Sequence, residues 1–189
     1  MKMSKDITLV IMFAVLTFVF RFLIGRFVGM VEGLIALPGF SYLLSIFFSI
    51  IHSVAFLMYG GRRWRLFSQA VLSTLLFLMF INPAFRAVEM ATLLNMFIVD
   101  VVFNSFYGSF ERKNKLLWLT LIFQAYYWAT HSIWLLLFSV ALFFPFEPFF
   151  NNWFVPTMSV MIPIMVAEGL IGGYIGYHIY LRVKKVQNL

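Results

Sequence analysis

Six stretches of roughly 20 predominantly apolar residues follow one another along this chain, each long enough to cross about 30 Å of hydrocarbon. That recurrence restricts the fold more than any motif does. Hydrophobic residues make up 63% of the 189 positions and charged residues 11%, with a mean hydropathy of +0.96. A soluble domain of this length has no core large enough to hide so much apolar surface. No linker or low-complexity run divides the chain. The reading is one all-α integral membrane domain over residues 1–189, with six transmembrane helices.

The spans are placed at 7–26, 41–59, 64–81, 89–110, 116–144 and 157–181. Helix 3 is the shortest and stops at Asn82-Pro83, because a proline disfavours helix in the residue before it. The opening Met1-Lys2-Met3-Ser4-Lys5 has the charge of a secretory signal but no small-x-small cleavage site, so helix 1 is read as retained. Lys and Arg then set the orientation. Lys2, Lys5, Arg62, Arg63, Arg65, Arg112, Lys113, Lys115, Arg182, Lys184 and Lys185 all fall on one side of a six-span arrangement. The positive-inside rule places that side, and both termini, in the cytoplasm. The net charge of +7 is therefore a topology signal, and no nucleic-acid partner is implied.

Five spans each carry an ionisable side chain within them: Arg21, His52, Asp100, His131 and Glu168. A charge at the bilayer centre costs about 2.5–3.5 kcal/mol even on insertion scales, so such residues face a protein-lined interior. Together they describe a polar layer inside the bundle. Complementary charges can neutralise one another, and Arg21 with Asp100 or Glu168 is the natural pairing; a structural ion pair fixing helix register is the plainer alternative. On helix 5, Gln124, Tyr127, Trp128 and His131 recur at i, i+3, i+4 and i+7 and so share a face. Rings with hydrogen-bonding tips suit a flat, polar-edged organic molecule. Helix 4 places Asn95 and Asn104 around Asp100. On helix 6, Gly169/Gly173 and Gly172/Gly176 are small-xxx-small pairs that permit close helix approach, and Pro163 should kink the helix ahead of Glu168.

Catalytic signatures are missing: there is no H-E-x-x-H, no G-x-S-x-G, and no phosphate-binding Gly-rich loop. No enzyme activity, cofactor or resident metal is expected. His52, His131, Asp100 and Glu168 sit on separate helices without a ligand spacing, so a metalloenzyme is the weakest rival. Cysteine is absent, which removes disulfides and thiolate chemistry.

The segment Val31 to Phe40 is apolar yet broken by Gly33, Pro38 and Gly39, and is read either as a cap dipping into the bundle or as a short interfacial loop. The Pro38-Gly39-Phe40 loop, the Gly60-Gly61-Arg62-Arg63 turn, Ile98-Val99-Asp100-Val101-Val102-Phe103, and the ending from Glu168 to Tyr177 followed by Arg182, Lys184 and Lys185 resemble the substrate-binding S component of energy-coupling factor (ECF) vitamin transporters. The resemblance runs the length of the chain. That family's Ala-x-x-x-Ala on helix 1 is not matched, since Ala14 is followed four residues on by Phe18. An N-terminal Met-His, the mark of the cobalt and nickel branch, is replaced by Met1-Lys2.

The resemblance implies a multi-pass protein of a prokaryotic cell membrane that captures a vitamin-like small molecule from outside. Its partners would be a transmembrane coupling subunit and ATPase subunits. Val31 to Phe40 would be the lid, and helices 4 to 6 would line the pocket. The expected substrate-binding residues are Glu168, Asp100, His131, Gln124, Tyr127, Trp128, Arg21, His52 and Asn95. The competing class is an autonomous proton- or ion-coupled carrier or channel, using the buried acids and histidines as relays.

Overall fold

A computed structural model describes residues 2–35, 45–79, 86–143 and 155–187 of the chain. All regular structure among them is helical: α1 (Lys2–Ile35), α2 (Ser45–Tyr59), α3 (Arg65–Leu78), α4 (Arg86–Arg112), α5 (Leu116–Phe143) and α6 (Val155–Gln187). A helix overlaps each of the six expected ranges, though α2 and α3 run only 15 and 14 residues. Among the described residues, three helices contain stretches long and apolar enough to cross a membrane, at Lys5–Ile24, Glu89–Arg112 and Ser159–Val186. Shorter apolar helices occupy Ser45–Tyr59 and Arg65–Leu78.

The ends differ from expectation for local reasons. Helix α1 continues to Ile35, so the first half of the expected Val31–Phe40 cap is helix. A single Gly33 weakens a helix by only about 1 kcal/mol, and the next strong breaker is Pro38. The remainder of that cap lies outside the described residues. Helix α3 begins at Arg65 because Trp64 takes a left-handed conformation (φ 70°). Its expected stop at Asn82-Pro83 is likewise outside the described residues. Helix α4 starts at Arg86, three residues before the expected Glu89. Helix α6 runs without interruption through Pro163.

In space the helices form a ring in the order α1, α2, α6, α5, α4, α3, closing back on α1. Helix α6, last in sequence, is wedged between α2 and α5, and glycines explain how it fits. A Cβ at Gly172 would lie 2.5 Å from Ser49 Cβ and 2.6 Å from the Ile46 carbonyl; one at Gly176 would lie 2.7 Å from Ser53 Cβ. Gly169 and Gly173 meet Trp128 and Gln124 of α5 in the same way. The two small-residue pairs thus serve two neighbours, one face each.

Aromatic rings fill one part of the ring's interior. Phe56, Phe103, Tyr107 and Phe123 are buried against one another, with ring centroids 5.1 Å apart for Phe56–Phe123 and 5.7 Å for both Phe56–Tyr107 and Phe103–Phe123. One turn further along α5 from Phe123, at Tyr127, the packing opens.

Candidate functional site

The opening is a cavity of ≈ 200 Å³. Each contributing helix offers residues at helical spacing: Thr17, Arg21 and Ile24 from α1; Ser45, Phe48 and His52 from α2; Leu66, Gln69, Ala70, Ser73 and Phe77 from α3; Glu89, Thr92 and Met96 from α4; Tyr127, Trp128 and His131 from α5. These are the i, i+3, i+4, i+7 positions of inward faces. Helix α6 supplies none of the lining residues among those described, whereas the expectation placed helices 4 to 6 around the pocket. Its place in the ring, behind α2 and α5, is the reason.

The charge in the cavity is an ion pair that sequence reasoning did not propose. Arg21 donates through both terminal nitrogens to Glu89, at 3.0 Å and 2.5 Å, and Thr74 donates its hydroxyl to the same carboxylate at 2.7 Å. The Arg21 guanidinium also lies 4.6 Å from the centre of the Phe77 ring. The expected partners Asp100 and Glu168 are engaged elsewhere. Asp100 is eleven residues beyond Glu89 on α4, about 16 Å along the axis, at the level where α3 begins.

There the Asp100 carboxylate accepts the backbone N–H of Trp64 at 2.7 Å and of Phe67 at 2.8 Å, and the Asn104 amide at 2.7 Å. Helix α3 has no side-chain cap of its own, so a neighbouring helix supplies the anion its first turn requires. Glu168 does the same for α2, accepting from the Ser45 hydroxyl at 2.6 Å and the Ile46 N–H at 3.3 Å. Neither carboxylate lines the cavity.

Gln124 and Asn95 are also fully buried away from it. Gln124 donates to the Ser49 carbonyl at 3.1 Å and the Ser53 hydroxyl at 2.8 Å, tying α5 to α2. Asn95 donates to the Tyr127 carbonyl at 2.7 Å and accepts from Thr130 at 2.8 Å, tying α4 to α5. Both therefore brace the wall from behind.

The remaining expected residues converge. Tyr127 stands between two imidazoles: it is stacked on His131, with centroids 5.6 Å apart and planes 11° from parallel, and edge-on to His52 at 5.3 Å. Trp128 packs edge-on to His131 and donates its indole N–H to Ser49 at 2.6 Å. The Nδ1 atoms of His52 and His131 are buried without a hydrogen-bond partner among the described residues. Of the nine expected residues, Arg21, His52, Tyr127, Trp128 and His131 share the cavity, and Glu168, Asp100, Gln124 and Asn95 do not line it.

Sequence reasoning missed Glu89 and the α3 face. Glu89 was placed at a helix edge, whereas the earlier start of α4 carries it inside, where it is 3% exposed. Gln69 and Ser73 at i and i+4 were the available signal on α3. Gln69 accepts from the Tyr59 hydroxyl at 2.9 Å and donates to Thr17 at 3.1 Å, linking α2, α3 and α1 across the cavity floor.

No group of three or more His, Asp or Glu side chains among the described residues is arranged to hold a metal ion. Comparison with family models, curated proteins and solved structures gave no match to this chain.

Proposed function

We propose that this chain is a membrane-embedded, non-enzymatic solute-binding subunit of the ECF importer type. In this reading it crosses a prokaryotic cell membrane six times with both termini in the cytoplasm. It captures a vitamin-like or other small organic solute, and a coupling subunit with ATPase partners drives release. The observation that carries the reading is the ≈ 200 Å³ cavity in which aromatic faces, two imidazoles and an internally paired charge meet. Such a combination of apolar walls with few convergent polar groups is how small-molecule sites are built. The sequence resemblance supplies the ATP-driven setting.

Binding to the purified chain in lipid nanodiscs tests the proposal, read through tryptophan fluorescence because Trp128 is in the wall. His52→Ala and His131→Ala should each weaken binding of the solute that saturates the wild type. Unchanged affinity in both variants would remove this site. An autonomous carrier is the second reading, favoured by the Arg21–Glu89 pair lying in the same cavity as two histidines. Flux into liposomes by this chain alone, without nucleotide, would favour the carrier over the subunit.

A further inference from the structure

We infer that the cavity selects an uncharged, planar nitrogen heterocycle about the size of a fused pair of rings. This rests on the solute-binding reading above and narrows it to a charge, a shape and a size.

Charge comes first. Arg21 is the cation among the described lining residues, and both of its terminal nitrogens are directed to Glu89 while its guanidinium carbon sits over the Phe77 ring. Glu89 in turn receives Arg21 on both oxygens and Thr74 on one of them. The pair is thus closed on itself and electrically neutral. An anionic solute would bring an uncompensated charge into a mostly apolar cavity, or would have to break a bidentate pair to be neutralised; a cation meets the same obstacle at Glu89. A neutral solute leaves the pair intact.

Hydrogen-bonding capacity lies with the imidazoles. The His52 and His131 rings both line the cavity, and neither Nδ1 has a partner among the described residues, so no hydrogen bond there fixes a tautomer. Each ring can adjust to a donor or an acceptor on the solute. A heterocycle with both ring N–H and ring N matches two such adaptable groups. Phe48, Tyr127 and Trp128 provide apolar ring surface for its faces.

Size agrees. An enclosed cavity of about 150 Å³ accommodates benzene, so the ≈ 200 Å³ among the described residues matches about eight to ten non-hydrogen atoms.

The test uses the full chain in nanodiscs and probes matched in shape. Benzimidazole and purine are the neutral heterocycles, benzimidazole-2-carboxylate is the anion and 1,3-dimethylbenzimidazolium the cation. Naphthalene lacks ring nitrogen, and acridine has a third ring. Benzimidazole or purine should bind, with the charged probes, naphthalene and acridine weaker by roughly tenfold or more. His52→Ala combined with His131→Ala should erase the preference over naphthalene while apolar binding persists. A charged or three-ring probe binding as tightly as the neutral pair overturns this inference and leaves the solute-binding reading standing. If no probe binds, native mass spectrometry of the purified chain decides. A neutral co-purified solute of this size supports the inference, and a charged or larger one overturns it. With neither probe nor co-purified solute bound, the solute-binding reading falls and the inference with it.

Discussion

The carboxylate of Asp100 on α4 accepts the backbone N–H of Trp64 at 2.7 Å, and so begins a helix to which it does not belong. Glu168 of α6 performs the same service for α2. Both acids occupy the middle of apolar stretches, yet each is matched by the unpaired N–H groups of another helix's first turn. The two shortest helices of the bundle are thereby anchored by the longer ones.

Asp100→Ala should therefore destabilise the fold by about 1–3 kcal/mol, since it leaves two part-buried backbone donors and the buried Asn104 amide without this acceptor. Thermal unfolding in detergent measures it. Affinity for a cavity solute should change little once the variant is folded.

Removing one member of the Arg21–Glu89 pair should be severe. Arg21→Met or Glu89→Leu alone leaves a buried charge unmatched, at about 3–5 kcal/mol, whereas the double variant should recover most of the loss. A double-mutant cycle on thermal stability provides the coupling, which should be large and favourable to the pair. Additive losses would show that the two side chains act independently.

The ion pairs of Asp6 with Arg62 and Arg65 provide a contrast. The Asp6 side chain itself is 11% exposed, but its partners reach water: the Arg62 side chain is 52% and Arg65 31% exposed, against 14% for Arg21. Asp6→Asn should cost no more than about 1 kcal/mol, and the difference from wild type should shrink as salt is raised. Melting temperatures across a salt series check this.

Gly172→Ala and Gly176→Ala should each destabilise by about 1–3 kcal/mol, because the added methyl would strike Ser49 or Ser53 and the α2 backbone beside it. Gly108→Ala is the matched control. Nothing lies within 4 Å of a Cβ there, so it should be neutral or stabilise by up to about 1 kcal/mol through helix propensity. Equal effects at all three positions would remove the close-packing explanation for α6.

Much of this architecture was legible from hydropathy alone, because an apolar run with polar punctuation leaves few alternatives to helix. Helix ends were less legible. Trp64 in a left-handed conformation and Glu89 inside α4 depend on contacts from other helices, which no local pattern displays. Within the site, the aromatic and histidine face of α5 was readable by its spacing. The carboxylates misled: Asp100 and Glu168 look like ligand groups in sequence, and only the proximity of another helix's first turn assigns them to capping. Glu89 was passed over because three residues of helix preceding it decide whether it faces water or Arg21.

The glycine contacts of α6 set a limit on how the cavity can adapt. Close contact with the α2 backbone and with the Trp128 and Gln124 side chains of α5 makes that side a rigid datum, with Tyr127, Trp128 and His52 carried on it at fixed separations. Any accommodation of a slightly wider guest must then come from the opposite rim, where α1 and α3 meet the void through Thr17, Ser73 and Phe77.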